Sequence, residues 1–332
     1  MKKGKYYKPI ENNQEIQCLL CPAKCFIKHG KTGFCRVRKN NSGILEPLTY
    51  GKISGMSLDP IEKKPMYHFF PGKQILSVGS IGCNLKCVFC QNFDISQNFN
   101  FSYLREVSKE QLLELAVSNE NNIGIAFTYN EPLIGYEFVL DTSVYFRENG
   151  LKNVIVSNGI INREPMLELV SYIDGANIDL KGIDDEFYKN NCRAGNADTV
   201  LQTIEILYKN KVTVEVTNLI VTGLNDSIEK IKILVDSVSS ISKDIPLHFS
   251  KYFPRYEYLK PATNEKILLS AYEYGKTKLN YVYVGNANID KTSNTYCPSC
   301  GKLLIERLGY SVKKMFNTVN CPECKTYIYG IE

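Results

Sequence analysis

The sequence predicts an α/β fold in which repeated strand–helix units form a partial or complete TIM-type (β/α) barrel. Between Gln74 and Gly285, short runs rich in β-branched residues alternate with longer amphipathic runs. Polar residues follow several of the short runs directly. Strands that alternate with helices form parallel βα units, and barrels of such units carry their sites at the carboxyl ends of the strands. A doubly wound open sheet is the competing architecture, which periodicity alone does not exclude.

Three regions are expected along the chain. Residues 1–72 are rich in Gly, Pro, Lys and Cys without a long periodic stretch, which indicates a Cys-rich metal-binding segment. Residues 73–290 hold the strand–helix units. Residues 291–332 follow the point where this pattern stops, and their cysteines are typical of a zinc-ribbon-like or rubredoxin-like tail.

The elements of the central region can be assigned in order. Short apolar runs predict strands at 75–78, 123–127, 154–156, 176–180, 212–216, 246–249 and 281–284. Ser108 and Gln111 have the spacing of a capping box ahead of an apolar run, so a helix is expected to begin there. Helical patterns recur between the later strands at 132–147, 165–172, 198–208 and 227–241.

Composition narrows the choice of partners and compartment. The 332 residues are 44% apolar and 23% charged, as in ordinary globular proteins. A net charge of +5 is too small over this length to indicate a nucleic-acid partner. The basic residues at the start precede no apolar core of a signal peptide, and no apolar run approaches the length of a membrane span. We therefore expect a cytoplasmic protein without a membrane partner.

Eleven of the twelve cysteines fall into three clusters, which indicates metal binding more than disulfide bonding. The central cluster is Cys83, Cys87 and Cys90, spaced Cys-x3-Cys-x2-Cys. These thiolates would leave one iron of a four-iron cluster without a protein ligand, whereas clusters that only transfer electrons are usually held by four cysteines. An open iron is suited to binding a small molecule. A structural zinc site with a fourth ligand from elsewhere is the alternative.

Polar residues stand where the predicted strands end. They are Glu131, Asn158, Asp179, Lys181 and His248. Each has an ordinary structural explanation, such as a helix cap, a turn, a surface lysine or a satisfied core histidine. Together they supply an anion, a cation and amides at one expected edge of the sheet, and those groups suit an amino-acid-like ligand.

The motifs then resemble a known family. The segments 77–97, 128–133, 156–159, 179–181 and 247–254, together with 59–65 and 281–286, resemble the radical S-adenosylmethionine (SAM) enzymes of the AmmeMemoRadiSam system, relatives of pyruvate formate-lyase activating enzyme. The resemblance covers nearly the whole chain. It differs from the wider superfamily at Tyr129-Asn130-Glu131, where Gly-Gly-Glu is common.

The resemblance implies a function and a set of ligands. Cys83, Cys87 and Cys90 are expected to ligate a [4Fe–4S] cluster, with Phe89 beside it in the motif. Glu131 is expected to face the SAM amine, and Asn158, Asp179, Lys181 and His248 are expected to contact SAM. The reaction implied is reductive cleavage of SAM to a 5′-deoxyadenosyl radical that acts on an unidentified substrate, with electrons from a flavodoxin-like or ferredoxin-like donor. Memo-like and AMMECR-like proteins are implied as partners or pathway neighbours.

Two flanking cysteine sets suggest further metals. Cys297, Cys300, Cys321 and Cys324 form paired Cys-x2-Cys knuckles around an expected hairpin near Gly309, a pattern typical of zinc ribbons, with a rubredoxin-like iron relay as the alternative. The N-terminal set is Cys18, Cys21, Cys25 and Cys35. It could fasten its segment with zinc or hold an auxiliary iron–sulfur cluster, and the sequence leaves both open.

Two other functions remain as alternatives. The protein could plant a glycyl radical on a partner enzyme, as its kinship with pyruvate formate-lyase activating enzyme suggests. It could instead be a non-catalytic module that binds metal or nucleic acid, although the central βα units have no role in that hypothesis. Three further residues are interpreted conservatively: Cys192 as a buried small hydrophobic residue, with hydrogen-atom donation as the alternative, and His29 and His68 as exposed.

Overall fold

A computed structural model of the chain describes residues 2–10, 14–97 and 99–331. The strands are β1 (Tyr7–Ile10), β2 (Glu15–Cys18), β3 (Phe26–Ile27), β4 (Arg38–Asn41), β5 (Ile44–Pro47), β6 (Lys52–Ile53), β7 (Gly55–Pro60), β8 (Gln74–Gly79), β9 (Arg105–Glu106), β10 (Asn122–Phe127), β11 (Lys152–Ser157), β12 (Gly175–Asp179), β13 (Thr213–Ile220), β14 (Leu247–Lys251), β15 (Val282–Gly285), β16 (Thr295–Tyr296), β17 (Leu303–Leu308) and β18 (Ser311–Lys314). The α-helices are α1 (Phe93–Ser96), α2 (Lys109–Val117), α3 (Tyr136–Glu148), α4 (Arg163–Leu169), α5 (Asp185–Phe187), α6 (Ala197–Lys209), α7 (Ile228–Ile241) and α8 (Glu265–Lys276).

The centre of the fold is an eight-stranded sheet in the order β15-β14-β13-β12-β11-β10-β8-β7. Strands β8 and β10 to β15 run parallel in chain order, and β7 pairs antiparallel with β8 at one edge. Among the described strands, β7 and β15 do not pair with each other, so the barrel is partial. The sheet curves nevertheless, because residues after β8 and residues of β14 line one common cavity.

The predicted strands are confirmed, and their burial explains why they were recognisable. Strand β13, for example, is buried at nearly every position, as expected for a parallel strand that is covered on both faces. The capping box is also confirmed: the Ser108 hydroxyl accepts from the Gln111 N–H, and the Gln111 side chain accepts from the Ser108 N–H, at the start of α2. None of the helices in the described ranges is long and apolar enough to cross a membrane.

Helix α8 was not predicted. Its apolar residues follow helical spacing and are buried, and they are Leu268, Ala271, Tyr272 and Gly275. Asn264 caps the helix by accepting a hydrogen bond from the Lys266 N–H. The cap and the spacing together would have identified this helix, which completes the unit between β14 and β15.

The inward-facing residues at the amino ends of the last strands form a buried polar network. Glu215 Oε2 lies 2.6 Å from His248 Nε2, and Glu215 Oε1 accepts from the His68 N–H at 2.7 Å. The His68 Nε2 lies 2.6 Å from the Tyr283 hydroxyl. His68 is therefore buried, and its expected exposure was wrong, whereas His29 is exposed. Burial lowers the pKa of His68 to about 4, so this histidine is neutral near pH 7.

The C-terminal tail packs beneath this network. Strands β16, β17 and β18 form an antiparallel sheet, and β17 and β18 are the hairpin expected around Gly309. Arg307 on β17 donates to the Tyr67 carbonyl at 2.7 Å, and the Tyr329 carbonyl lies 2.7 Å from His68 Nδ1. These bonds hold the tail against the amino end of the barrel.

A buried ion pair attaches the N-terminal cysteine segment to the barrel. Arg38 at the start of β4 donates through Nη1 and Nη2 to the two carboxylate oxygens of Glu137 on α3, both at 2.9 Å. Arg38 Nη2 also donates to the Lys5 carbonyl at 2.7 Å. Both charged side chains are almost fully buried, so each depends on the other for compensation.

We expect Arg38→Met to lower the free energy of unfolding by about 3–5 kcal/mol, because it leaves the Glu137 carboxylate buried without its partner. The matched control is Lys209→Met, which removes an exposed pair with Glu205 and should change the free energy by less than about 0.5 kcal/mol. Urea unfolding followed by circular dichroism measures both. Equal effects for the two variants would contradict the role of the buried pair.

Candidate cofactor site

The site lies at the carboxyl end of the sheet, where β8 leads into the loop of three cysteines. Cys83, Cys87 and Cys90 all line one cavity of about 400 Å³. Gly82 turns this loop with a φ of +88°, and a Cβ there would meet the Cys35 carbonyl at 3.0 Å. Glycine is therefore required both by the conformation and by the close approach of the N-terminal segment.

Backbone hydrogen bonds fix the cysteine loop from two sides. The N–H groups of Lys86 and Val88 donate to the carbonyls of Cys192 and Asn191, at 2.8 and 2.9 Å. The Val88 carbonyl in turn accepts from the Glu257 N–H at 3.0 Å. Residues after β12 and after β14 thus hold the loop in place, so the spacing of the thiols does not depend on a bound group alone.

Polar groups also approach the cysteine sulfurs. The Leu85 N–H donates to Cys83 Sγ at 3.3 Å, and the Asn158 amide donates to the same sulfur at 3.6 Å. Cys90 Sγ lies 3.1 Å from the Ser96 hydroxyl. Hydrogen bonds to cluster sulfurs are one of the means by which proteins tune the potential of an iron–sulfur centre.

Glu131 lies in the wall of the same cavity and accepts three hydrogen bonds from the protein. Its carboxylate accepts from the Leu133 N–H at 2.9 Å, the Ser157 hydroxyl at 2.8 Å and the Asn158 N–H at 2.8 Å. Burial nevertheless raises the pKa of Glu131 to about 7. A cation that binds in the cavity would therefore stabilise the charged form of this carboxyl.

Asp179 and Lys181 follow β12 and line the cavity as an ion pair. Lys181 Nζ lies 2.8 Å from Asp179 Oδ2. Burial opposes the charge of Lys181, but Asp179 and the nearby Cys87 raise the pKa of this lysine, so it is a cation. Phe89, Glu131, Asn158, Asp179 and Lys181 are thus brought together with the cysteines.

His248 is not brought to the cavity. It lies near the amino end of β14, where its ring bonds to Glu215 and packs edge-on against Tyr67 with centroids 4.8 Å apart. Side chains two residues apart on a strand share a face, so Ser250, two residues later, reaches the cavity while His248 stays one layer deeper. The described lining of the cavity therefore does not include His248, and its expected contact with SAM stays a prediction.

Several lining residues were missed by sequence reasoning. Tyr129 adopts a left-handed conformation with a φ of +73°, and its hydroxyl donates to Asp59 at 2.6 Å. Lys64 is buried, pairs with Asp59 at 2.6 Å and lies over the Tyr129 ring. A bulky residue at positive φ is strained, and such strain is concentrated at functional sites. The signal was the Asp59–Pro65 run, which the family resemblance included without a role.

The cavity fits the group that the cysteine motif implies. No histidine and no further cysteine is among its described lining residues, so the donor set is three thiols. A carboxylate, an ammonium group and an amide line the remaining wall, where the open corner of a four-iron cluster would need an amino-acid-like ligand. Gly79 packs closely against Tyr129, because a Cβ at position 79 would lie 2.8 Å from the Tyr129 ring.

Cys192 is buried, as expected, and ends a π-helical turn, Tyr188–Cys192. Such turns are frequent at functional sites. A hydrogen bond from the Cys192 thiol lowers the pKa of Cys87, despite the opposing effect of burial. The backbone carbonyl of Cys192 also accepts from the Lys86 N–H at 2.8 Å, so this residue contacts the cysteine loop.

The flanking cysteine sets have different geometries. The sulfurs of Cys297, Cys300, Cys321 and Cys324 all lie within 4.8 Å of one another, as four ligands of one tetrahedral ion would. The N-terminal cysteines, Cys18, Cys21, Cys25 and Cys35, instead surround a small enclosed cavity together with Arg38 and Asn84.

Comparison with known proteins agrees with this arrangement. Residues 78–238 match the Radical SAM superfamily. An uncharacterised protein of Methanocaldococcus jannaschii is 40% identical over 330 residues, covering 98% of this chain and 97% of that protein. The pyruvate formate-lyase 1-activating enzyme of Escherichia coli K12 is 27% identical over 152 residues, and the match spans 44% of this chain and 60% of that enzyme.

The fold has solved counterparts. The crystal structure of Streptococcus suis SuiB bound to S-adenosylmethionine aligns with a TM-score of 0.52 at 16% identity, covering 69% of this chain and 54% of that chain. This likeness concerns the fold alone. The matched core and the cysteine loop at the carboxyl end of a partial barrel agree: the chain belongs to the radical SAM superfamily, and its homologues include proteins named pyruvate formate-lyase 1-activating enzyme and 4-hydroxyphenylacetate decarboxylase activating enzyme.

Proposed function

We propose that the protein binds a [4Fe–4S] cluster through Cys83, Cys87 and Cys90 and reductively cleaves SAM to a 5′-deoxyadenosyl radical that acts on an unidentified substrate. The observation that carries this proposal is that three thiols and a set of SAM-suited polar groups line one cavity. A low-potential donor of the flavodoxin or ferredoxin class would supply the electron. We also propose the division into residues 1–72, 73–290 and 291–332 as functional regions.

The residues of the cavity have distinct proposed roles. When bound, the cluster supplies the electron that breaks a C–S bond of the SAM sulfonium. The Glu131 carboxylate faces the SAM ammonium, and Lys181 attracts the SAM carboxylate while Asp179 holds this lysine in place. The Asn158 side chain donates a hydrogen bond to Cys83 Sγ, so it links the cysteine loop to the residues proposed to bind SAM.

Anaerobically reconstituted protein, given dithionite and SAM, is expected to form 5′-deoxyadenosine and methionine. Cys87→Ala should abolish both products, because the cluster would lose one of its three ligands. Chromatography of the quenched reaction measures them, and reactions without reductant or without SAM are the controls. A wild-type protein with a full cluster and no product would refute the proposed reaction.

Substitutions at Lys181 and Lys209 test whether the lysine that lines the cavity binds SAM. Lys181→Met should weaken SAM binding about tenfold or more, since a charge-assisted hydrogen bond contributes about 1.5–3 kcal/mol. Lys209→Met is the exposed control and should leave the affinity unchanged. His248→Gln keeps a hydrogen-bond donor for Glu215 and should also bind SAM normally, because His248 lies outside the cavity.

Isothermal titration of the reconstituted variants with SAM measures these affinities. If His248→Gln loses as much affinity for SAM as Lys181→Met does, His248 contributes to SAM binding after all. Normal binding by Lys181→Met would remove the proposed role of this lysine.

The second candidate function is the formation of a glycyl radical on a partner enzyme. It is favoured by the similarity to pyruvate formate-lyase 1-activating enzyme, which covers 44% of this chain. Memo-like and AMMECR-like proteins are proposed as partners in place of a glycyl-radical enzyme if the AmmeMemoRadiSam assignment holds. Electron paramagnetic resonance after incubation with each partner distinguishes these hypotheses, because only the activase forms a glycyl radical signal.

The four tail cysteines are proposed to bind one zinc ion. Cys321→Ser should release that zinc and lower the midpoint of thermal unfolding, since metal binding contributes folding free energy in such small elements. Elemental analysis and calorimetry measure the two effects. Ser299→Ala, in the same knuckle without a ligand atom, is the matched control and should retain zinc. Iron in place of zinc in the purified tail would favour the rubredoxin-like alternative.

A further inference from the structure

The four N-terminal cysteines differ from the tail cysteines in how they are arranged. Cys18, Cys21, Cys25 and Cys35 all line one small cavity. Among the described residues, only the tail set brings three or more ligand atoms within 4.8 Å of one another. A single zinc ion with Zn–S bonds of about 2.3 Å requires that closeness. Thiolates around a cluster stand farther apart, because the iron–sulfur core lies between them.

The cysteine loop at the barrel mouth provides an internal reference. Cys83, Cys87 and Cys90, which the superfamily motif assigns to a cluster, also line a cavity, and their three sulfurs do not all lie within 4.8 Å of one another. The N-terminal set therefore groups with the cluster loop and not with the tail. An N–H donor is already directed at one of its sulfurs: the Phe34 N–H donates to Cys25 Sγ at 3.4 Å.

The two cysteine sites adjoin each other at Asn84. Asn84 follows Cys83 in the loop, and its side chain lines the N-terminal cavity. Asn84 Oδ1 accepts at 2.8 Å from Asn158 Nδ2, which lies 3.6 Å from Cys83 Sγ. The backbones of the two sites are also close to each other, because a Cβ at Gly82 would lie only 3.0 Å from the Cys35 carbonyl oxygen.

The outer side of the N-terminal site is basic. Residues 16–45 contain six Lys or Arg and no Asp or Glu. Arg38 is neutralised by Glu137, but Lys24, Lys28, Lys31 and Arg36 are exposed. An acidic electron-transfer protein would be attracted to such a surface, because complementary charge raises association rates.

We propose that Cys18, Cys21, Cys25 and Cys35 hold a second, four-cysteine [4Fe–4S] cluster that relays single electrons to the cluster at Cys83, Cys87 and Cys90. An acidic donor of the ferredoxin or flavodoxin class docks on the basic surface and is oxidised by one electron. The N-terminal cluster is reduced by that electron and then reoxidised as it passes the electron inward. The relay rests on the proposed function, whereas the identity of the N-terminal group does not.

The metal content of the full chain tests the second cluster. Wild-type protein purified anaerobically should contain about eight irons and eight sulfides with one zinc per chain, as two clusters and one tail site require. The variant Cys83→Ala/Cys87→Ala/Cys90→Ala should keep about four irons and a reducible cluster signal in electron paramagnetic resonance. About four irons and two zincs in the wild type would overturn the proposal, and that count remains decisive if the triple variant fails to fold.

The electron route has its own test. Lys28→Glu/Lys31→Glu should slow reduction of the protein by an acidic flavodoxin on the order of tenfold at low salt, with dithionite reduction unchanged. Lys209→Glu, an exposed charge reversal on α6, is the matched control. Equal rates in the two variants would overturn the relay. SAM cleavage with dithionite in a protein of four irons and two zincs would leave the proposed function intact while removing this inference.

Discussion

The buried pair of Arg38 and Glu137 is the interaction on which the site most depends. It joins the N-terminal cysteine segment to α3, and the turn that precedes α3 carries Glu131 and lines the cofactor cavity. A pair buried on both sides costs desolvation energy that only good geometry offsets, and here both guanidinium donors meet both carboxylate oxygens. The N-terminal segment is consequently held against the mouth of the barrel in one position.

The same arrangement explains why the cysteine loop can be rigid before any group binds. Two neighbouring segments supply its backbone partners, the turn at Asn191 and Cys192 and the loop at Glu257, while the Cys35 segment packs closely behind Gly82. Preorganisation of ligands lowers the entropy lost on binding and keeps each thiol where the proposed cluster would require it. The tail packs against the opposite end of the barrel, where Arg307 and Tyr329 form hydrogen bonds to Tyr67 and His68.

Much of this could be predicted from the sequence, and the failures have physical causes. The strands of the parallel sheet were recognisable because burial on both faces makes each a short apolar run. Glu131, Asp179 and Lys181 were placed correctly because they follow strands directly. His248 was expected beside them, but it lies near the amino end of its strand, one layer below the cavity. His68 was misjudged because its partners Glu215 and Tyr283 are far away in sequence.

The spacing of cysteines along the chain does not identify the metal that each flanking set binds. Cys-x2-Cys knuckles occur in both flanking sets, so the motif permits zinc or an iron–sulfur cluster in either. What separates the two metals is the distance between sulfurs, which depends on how each knuckle packs. In the tail, Cys297 lies 3.5 Å from Cys324, sulfur to sulfur, around space for one ion. At the N-terminal set, Arg38 and two barrel residues, Asn84 and Ile134, line a cavity together with the four cysteines, so packing against the barrel limits the size of the group that the cysteines can hold.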